Sequence, residues 1–346
     1  MPSVVTLPHT LPSNQQQLLQ GLEDSGEQVF ARTVAANYGF RISNRWDRTA
    51  KNVAEDLAST GKDFQNCTID SLEQLVDRVI ISANHHYSVY ELSQIDAVSV
   101  RQALSAIVGQ PQNNQYSQHY PAKVDFDSTP NTPTGHFLCK VVDMGDGFAC
   151  IFSSVEKEAP IGFRSSVNSM ILSQFFHTVF VPHKKDRYEV RISDKAPARY
   201  LEEHATSINN EFINTIGEQG VKFRRTSINF YNCIKSYFSD QASGRIAHAV
   251  LTTDQDSKDA ELKSLRNRDY CARSQQVVDT KNNFDYICRA ILIRKPYLGN
   301  TLGEIDISFF PHKNVWEANQ CWTIQVKKPQ TSTALNSIIT DAITRS

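Results

Sequence analysis

Apolar residues in the N-terminal third of the chain follow a helical pattern. Between residues 15 and 108 they recur every three to four positions, which is typical of amphipathic helices. One such stretch begins at Ser71, and its apolar face comprises Leu72, Leu75, Val76, Val79 and Ile80. The pattern predicts a bundle of four or five short helices. Residues 88–108 have some helix-turn-helix character, although a purely structural helix pair is favoured there.

A polar segment then interrupts this periodicity. Residues 110–134 are rich in Gln, Asn, Pro and Thr, which together bury little apolar surface. The apolar period changes from helical to alternating across the segment. We therefore predict a helical region at 1–109, a polar linker or long loop at 110–134, and an α+β domain at 135–346.

The region after residue 134 alternates between strand and helix patterns. Phe137 to Val142 and Phe148 to Val155 flank a glycine-containing turn and predict a hairpin. Further strands are predicted at 187–192, 245–251, 284–295, 303–310 and 321–328. Helices are predicted at 164–180, from Pro197 to Gly217, at 256–279 and at 333–345, and helix is slightly favoured at 223–238. The expected fold class is α+β, with a mainly antiparallel sheet flanked by helices.

Composition supports a folded protein. The 346 residues are 40% apolar and 21% charged, which is enough apolar material for a sizeable core. No apolar run approaches the roughly 20 residues needed to cross a bilayer, and no secretory signal opens the chain. The seven cysteines are odd in number, widely spaced and without a Cys-x-x-Cys pair, which indicates reduced thiols. We expect a cytoplasmic protein without membrane contact.

The net charge of −1 conceals an asymmetry between the two parts of the chain. Residues 1–150 carry 10 Lys and Arg against 16 Asp and Glu, whereas residues 151–346 carry 26 against 21. A basic C-terminal part is compatible with an acidic partner, although the balance is far from that of a strongly basic nucleic-acid binder.

Basic residues of the C-terminal part are interleaved with aromatic ones. Cations neutralise phosphates and aromatic faces stack on bases, so this mixture favours binding of RNA or single-stranded DNA, within a larger homo- or hetero-oligomeric assembly. The predicted nucleic-acid-binding residues are Lys184, Lys185, Arg187, Lys222, Arg224, Arg225, Lys263, Arg266 and Arg273. The ten histidines fit no zinc spacing, so structural histidines are expected.

The sharpest chemical pattern lies in the last two predicted strands. Alternate side chains of a strand share a face, so an antiparallel pair would bring Asp306 near Gln325 and Lys327. These residues resemble the motif of the PD-(D/E)xK nuclease superfamily, in its variant with Gln at the second acidic position. The resemblance implies that Asp306 binds Mg²⁺, that Gln325 occupies the second ligand position and that Lys327 positions water. Glu261, on the preceding predicted helix, would assist.

Three functions therefore remain open. Nucleic-acid binding without a cofactor is the leading hypothesis. A Mg²⁺-dependent nuclease centred on Asp306 is the first alternative, and a half-buried hairpin with a solvated polar face explains the same residues without catalysis. The second alternative is a structural or assembly subunit that binds only protein, with acidic and basic regions attracting each other head to tail between copies.

Overall fold

A computed structural model describes residues 13–59, 67–127, 132–158, 171–253, 259–264, 270–274, 286–297 and 303–346. Contacts between residues divide the chain into two compact units. The first unit comprises residues 1–83 and 92–225, and the second comprises 84–91 and 226–346. The segment 110–134 lies inside the first unit, and the division predicted from the sequence stays a prediction.

Helices dominate the start of the first unit. They are α1 (Ser13–Asp24), α2 (Gln28–Val34), α3 (Trp46–Ala58), α4 (Ile69–Ser82), α5 (Gln94–Ile107), α6 (Gln115–His119) and α7 (Leu201–Glu218). The start of α4 shows why the sequence folds this way. The Thr68 hydroxyl accepts a hydrogen bond from the Ser71 backbone, and the Ser71 side chain accepts one from the Thr68 backbone. This capping box satisfies two of the backbone donors that a helix start leaves unpaired.

Four antiparallel strands form the other layer of the first unit. They are β2 (Gly135–Asp143), β3 (Gly147–Glu158), β4 (Ile171–Pro182) and β5 (Arg187–Ser193), adjacent in that order. Helix α4 packs on one face, where Phe176 and Phe180 join its apolar cluster. Helix α7 packs on the other face, where Tyr188 contacts Phe212. Both faces of the central strands are therefore buried.

The second unit is built on an antiparallel sheet with helices on one side. Its strands are β1 (His85–Leu92, of which 85–91 belong to this unit), β6 (Arg225–Ser227, of which 226–227 belong to this unit), β7 (Arg245–Thr253), β8 (Ala260–Lys263), β9 (Tyr286–Pro296), β10 (Glu304–Phe309) and β11 (Ile324–Lys327). The main strand order is β1-β11-β10-β9-β7-β8. The helices are α8 (Tyr231–Ser239), α9 (Lys313–Glu317) and α10 (Ser332–Thr344). Helices α8 and α10 share the apolar core with the inner faces of β7, β9, β10 and β11.

The predicted α+β class, with N-terminal helices and a mainly antiparallel sheet flanked by helices, is confirmed. The hairpin of β2 and β3, the helix that follows Pro197, and the last three strands and final helix are also confirmed where the chain is described. No helix within the described ranges is long and apolar enough to cross a bilayer.

Three secondary-structure predictions are wrong. Residues 171–180, predicted as helix, form β4, and residues 164–170 lie outside the described residues. Because both faces of β4 are buried from Phe176 to Pro182, apolar and polar residues do not alternate there to mark it as a strand. Residues 260–263 form β8 rather than part of a helix at 256–279. Finally, residues 88–92, at the start of the predicted helix pair, belong to β1, where buried and half-exposed residues alternate.

Candidate functional site

Five of the nine predicted nucleic-acid-binding residues are exposed in the first unit. They are Lys184, Lys185, Lys222, Arg224 and Arg225. Within the described part of the chain, none of their side chains forms a salt bridge or a hydrogen bond with another residue. We call these five residues the basic surface. Their charges are available to an external anion because no carboxylate of the described chain neutralises them.

Lys184 and Lys185 lie on the tight turn that joins β4 to β5. Arg101 of α5 holds this turn, because its guanidinium donates to the backbone carbonyls of Pro182 and Lys185 at 3.3 and 3.0 Å. The same guanidinium lies 3.2 Å from the Asp186 carboxylate. The one acid on the turn is therefore paired with Arg101, and the two lysines keep a net positive charge.

The segment with Lys222, Arg224 and Arg225 is anchored by an aromatic contact. The ring of Phe223 lies 6.0 Å from the ring of Tyr188, edge to face, and 6.1 Å from the ring of Phe212. Edge-to-face packing of this kind fixes the position of a ring. Because Tyr188 comes three residues after Lys185, about 10 Å along a strand, the contact places both basic segments at the same end of β5.

Arg187 does not belong to the basic surface. Its side chain is buried, and its Nε donates to the Glu189 carboxylate at 2.9 Å. Arg191 binds the other oxygen of the same carboxylate at 2.7 Å. Residues 187, 189 and 191 share one face of β5 because alternate strand residues point the same way. A phosphate outside the protein would meet none of this buried charge.

The remaining predicted residues have other roles or positions. Arg273 is buried, and its guanidinium donates to the carbonyls of Tyr237, Phe238 and Gly244. Lys263 is exposed but lies 2.6 Å from the Glu261 carboxylate. Arg266 lies outside the described residues. These residues therefore give no support to a phosphate-binding role in the second unit.

The two strands of the nuclease hypothesis are neighbours. Strands β10 and β11 pair antiparallel, with Asp306 opposite Lys327 and Ser308 opposite Gln325. This is the register that the alternation of polar and apolar residues indicated. Ile307 and Val326 are fully buried against the helices, and the polar residues line the opposite face of the sheet.

The side chains on this polar face bind one another. Arg294 of β9 donates to one carboxylate oxygen of Asp306 at 2.9 Å, and Lys328 lies 3.3 Å from the other. Gln325 accepts a hydrogen bond from the Ser308 hydroxyl at 3.1 Å, and its Nε2 lies 2.9 Å from Nε2 of His86. The polar atoms of the hairpin are thus satisfied by the protein itself.

These contacts limit what the hairpin can do chemically. A Mg²⁺ ion needs oxygen ligands in near-octahedral geometry, and it would have to displace Arg294 or Lys328 to reach Asp306. Glu261 lies in β8, where it accepts from His248 at 2.7 Å instead of reaching Asp306 from a helix. The described residues contain no group of three or more His, Cys, Asp or Glu side chains arranged to hold a metal. The geometry favours a structural hairpin.

Comparisons with known proteins do not add to this picture. No protein-family model, no curated protein and no solved structure matches the chain. The candidate site therefore rests on the contacts, burial and charges described above.

Proposed function

We propose that the first unit binds RNA or single-stranded DNA through the basic surface. The observation that carries the proposal is the presence of five exposed, unneutralised cations in two segments at one end of β5. Exposed Lys and Arg side chains release condensed counterions when they contact phosphates, and this release supplies most of the affinity of sequence-independent binding.

Phosphate contacts, rather than base stacking, would dominate the interaction. Phe223 is half-buried against Tyr188 and Phe212, so little of its ring face is available to a base. Contacts to phosphates position a nucleic acid without reading its sequence. We therefore expect similar affinities for oligonucleotides of different sequence.

Reversing two charges of the basic surface should weaken binding for all sequences alike. If Arg224 and Arg225 each contact one phosphate, the double variant Arg224→Glu and Arg225→Glu should lower affinity about 25-fold at about 0.1 M salt. The slope of log K against log salt should fall by about 1.4, since each single-strand phosphate contact contributes about 0.7. Fluorescence anisotropy with labelled oligonucleotides over a range of salt concentrations measures both quantities.

The matched control reverses two exposed cations elsewhere in the first unit. Arg48 and Lys51 are exposed residues of α3, and the variant Arg48→Glu with Lys51→Glu changes the net charge by the same amount. This control should retain both affinity and salt slope apart from a small long-range effect. Equal losses of affinity in the two variants would show that only the total charge of the protein matters. Absence of binding by the wild type at low salt would reject the proposal.

A Mg²⁺-dependent nuclease at the hairpin is the second candidate, and the adjacency and register of β10 and β11 are the observation in its favour. In this case Asp306→Asn should abolish Mg²⁺-dependent cleavage of a single-stranded substrate, and Lys327→Gln should slow it. If the hairpin is structural, Asp306→Asn should instead lower the stability of the second unit by about 1–3 kcal/mol, because Arg294 and Lys328 lose their charged acceptor.

Cleavage assays and unfolding curves on the same Asp306→Asn sample separate these outcomes. Cleavage by the wild type that persists in the variant would point to a contaminating nuclease. If the protein neither binds nor cleaves nucleic acid, the alternative of a structural or assembly subunit remains. Analytical ultracentrifugation would then test self-association directly.

A further inference from the structure

A chain of hydrogen bonds links two buried histidines of the first unit to a glutamate. His177 lies on β4 and His204 lies near the start of α7, and neither side chain is exposed. Nε2 of His177 is 2.9 Å from Nδ1 of His204, and Nε2 of His204 is 3.2 Å from the Glu156 carboxylate. The backbone N–H of Ser193 donates to Nδ1 of His177 at 3.2 Å. We call this chain the histidine relay.

The Ser193 hydrogen bond fixes the proton positions along the relay. Because Nδ1 of His177 accepts a hydrogen bond, that nitrogen carries no proton, and the neutral ring must carry its proton on Nε2. His177 then donates to Nδ1 of His204, so His204 also carries its single proton on Nε2 and donates it to Glu156. Both imidazoles are neutral in this arrangement.

Neither imidazole can take up a second proton while all hydrogen bonds of the relay are intact. On His177 it would have to sit on Nδ1, where it would face the Ser193 N–H. On His204 it would also have to sit on Nδ1, where it would face the proton of His177. Glu156 favours a charged His204, but it binds the nitrogen that is already protonated. Protonation of either ring therefore requires at least one relay hydrogen bond to break.

Several other polar and charged groups lie around the relay. They are His136 of β2, Ser154 of β3, Tyr200 directly before α7, and Glu203 in the first turn of α7. His136 binds Ser154 at 2.6 Å. Burial, followed by the neighbouring His204, lowers the pKa of His136. Helix α5 adds no charge here, because its Asp96 and Arg101 bind Ser93 and Asp186 instead.

We propose that the histidine relay is a pH-sensitive latch that holds the N-terminal turns of α7 on the sheet at neutral pH and releases them in mild acid. The relay ties α7 to β3 and β4 and, through Ser193, to the end of β5. Opening exposes both imidazoles to water, where they take up protons with an ordinary pKa of about 6.5. The open state thus binds more protons, and acid favours it.

The expected size of the effect follows from this linkage. At pH 5.5, about one unit below the ordinary imidazole pKa, each released histidine shifts the opening equilibrium about tenfold. The titration of His136 acts in the same direction. Its pKa is lower in the folded protein than the ordinary value of about 6.5, so neutral His136 stabilises the closed state above about pH 6.5, and this stabilisation is lost as the pH falls towards the lower, folded-state pKa. Opening should therefore rise at least tenfold between pH 7.5 and 5.5.

Hydrogen exchange read by mass spectrometry on the full chain tests the latch. After correction for the intrinsic exchange rate, peptides covering residues 198–208 should lose at least tenfold in protection between pH 7.5 and 5.5 in the wild type. In the variant His177→Gln with His204→Gln, whose amides keep a donor near each Nε2 position but do not titrate, the loss should be at least about tenfold smaller than in the wild type, because only His136 still titrates. The variant His136→Gln, which leaves the relay intact, should still respond to acid.

Unchanged protection in the wild type, or an equal loss in the His177→Gln and His204→Gln variant, would overturn the proposal. Nitrogen NMR of the wild-type imidazoles gives an independent test that requires no folded variant. Both His177 and His204 should appear as neutral rings protonated on Nε2 at pH 7.5. A proton on Nδ1 of either ring at that pH would contradict the relay.

Discussion

Replacing Glu189 with Gln should lower the free energy of unfolding of the first unit by about 3–5 kcal/mol. The Glu189 carboxylate is fully buried and lies between two buried guanidinium groups, accepting from Arg187 at 2.9 Å and from Arg191 at 2.7 Å. Arg191 also stacks over the ring of Phe180 at 4.0 Å and donates to the carbonyl of Ile81 at 2.8 Å. Gln carries no charge, so both arginines would remain buried without a counter-charge.

Urea unfolding followed by the fluorescence of Trp46 measures this loss. Trp46 is the only tryptophan in the first unit, and Trp316→Phe with Trp322→Phe removes the signal of the second. The exposed Glu203→Gln provides a matched control and should change stability by no more than about 0.5 kcal/mol.

A triple variant separates the cost of an unpaired charge from that of lost packing. Replacing Glu189, Arg187 and Arg191 together with Met removes all three charges, so the protein should be close to wild-type stability or above it. If the triple variant were destabilised as much as Glu189→Gln, buried charge would not explain the loss.

The outline of the fold was predictable because much of the chain buries one face of each element. Strands β10 and β11 alternate, and their register follows from that alternation. Strand β4 is predicted wrongly as helix because α4 and α7 cover both of its faces, so apolar and polar residues do not alternate along it. Burial on two sides is a property of tertiary structure, and local periodicity cannot report it.

The candidate site was predictable only in part, because a sequence does not say which charges are paired. Lys184 and Arg187 stand three residues apart, yet one is exposed and the other is buried beside Glu189. The alternation of Arg187, Glu189 and Arg191 was a usable signal, since opposite charges at every second position of a strand share a face. The nuclease hypothesis does not include Arg294, because only the order of strands in the sheet places β9 beside β10 and Arg294 opposite Asp306.

The histidine relay was likewise not predictable from the local sequence. Nothing in the local sequence connects His177 with His204, which are 27 residues apart and lie on a strand and a helix. The expectation of structural histidines was reasonable from spacing alone. Only the packing of α7 on the sheet brings the two rings into hydrogen-bond contact, and only the Ser193 backbone determines their tautomers.

Replacing Arg273 with Ala should destabilise the second unit by about 2–4 kcal/mol and leave nucleic-acid affinity unchanged. The Arg273 guanidinium makes four hydrogen bonds of 2.6–2.7 Å, three to backbone carbonyls near the end of α8 and the start of β7 and one to the Ser243 hydroxyl. Ala leaves the Phe238 carbonyl without its buried donor and opens a cavity. Lys would keep the charge but cannot reproduce the fork of donors, so Arg273→Lys should recover only part of the loss.

The exposed Arg224 supplies the matched comparison, because both arginines were predicted from the sequence to bind nucleic acid. Arg224→Ala should cost no more than about 0.5 kcal/mol of stability, since the side chain is exposed. It should nevertheless weaken binding and lower the salt slope by about 0.7. Unfolding curves, followed by Trp316 for Arg273→Ala and by Trp46 for Arg224→Ala, and anisotropy titrations on the same samples give the four values. If Arg273→Ala weakened binding while its unfolding curve stayed that of the wild type, the buried hydrogen bonds would not be its main role, and the second unit would itself bind nucleic acid.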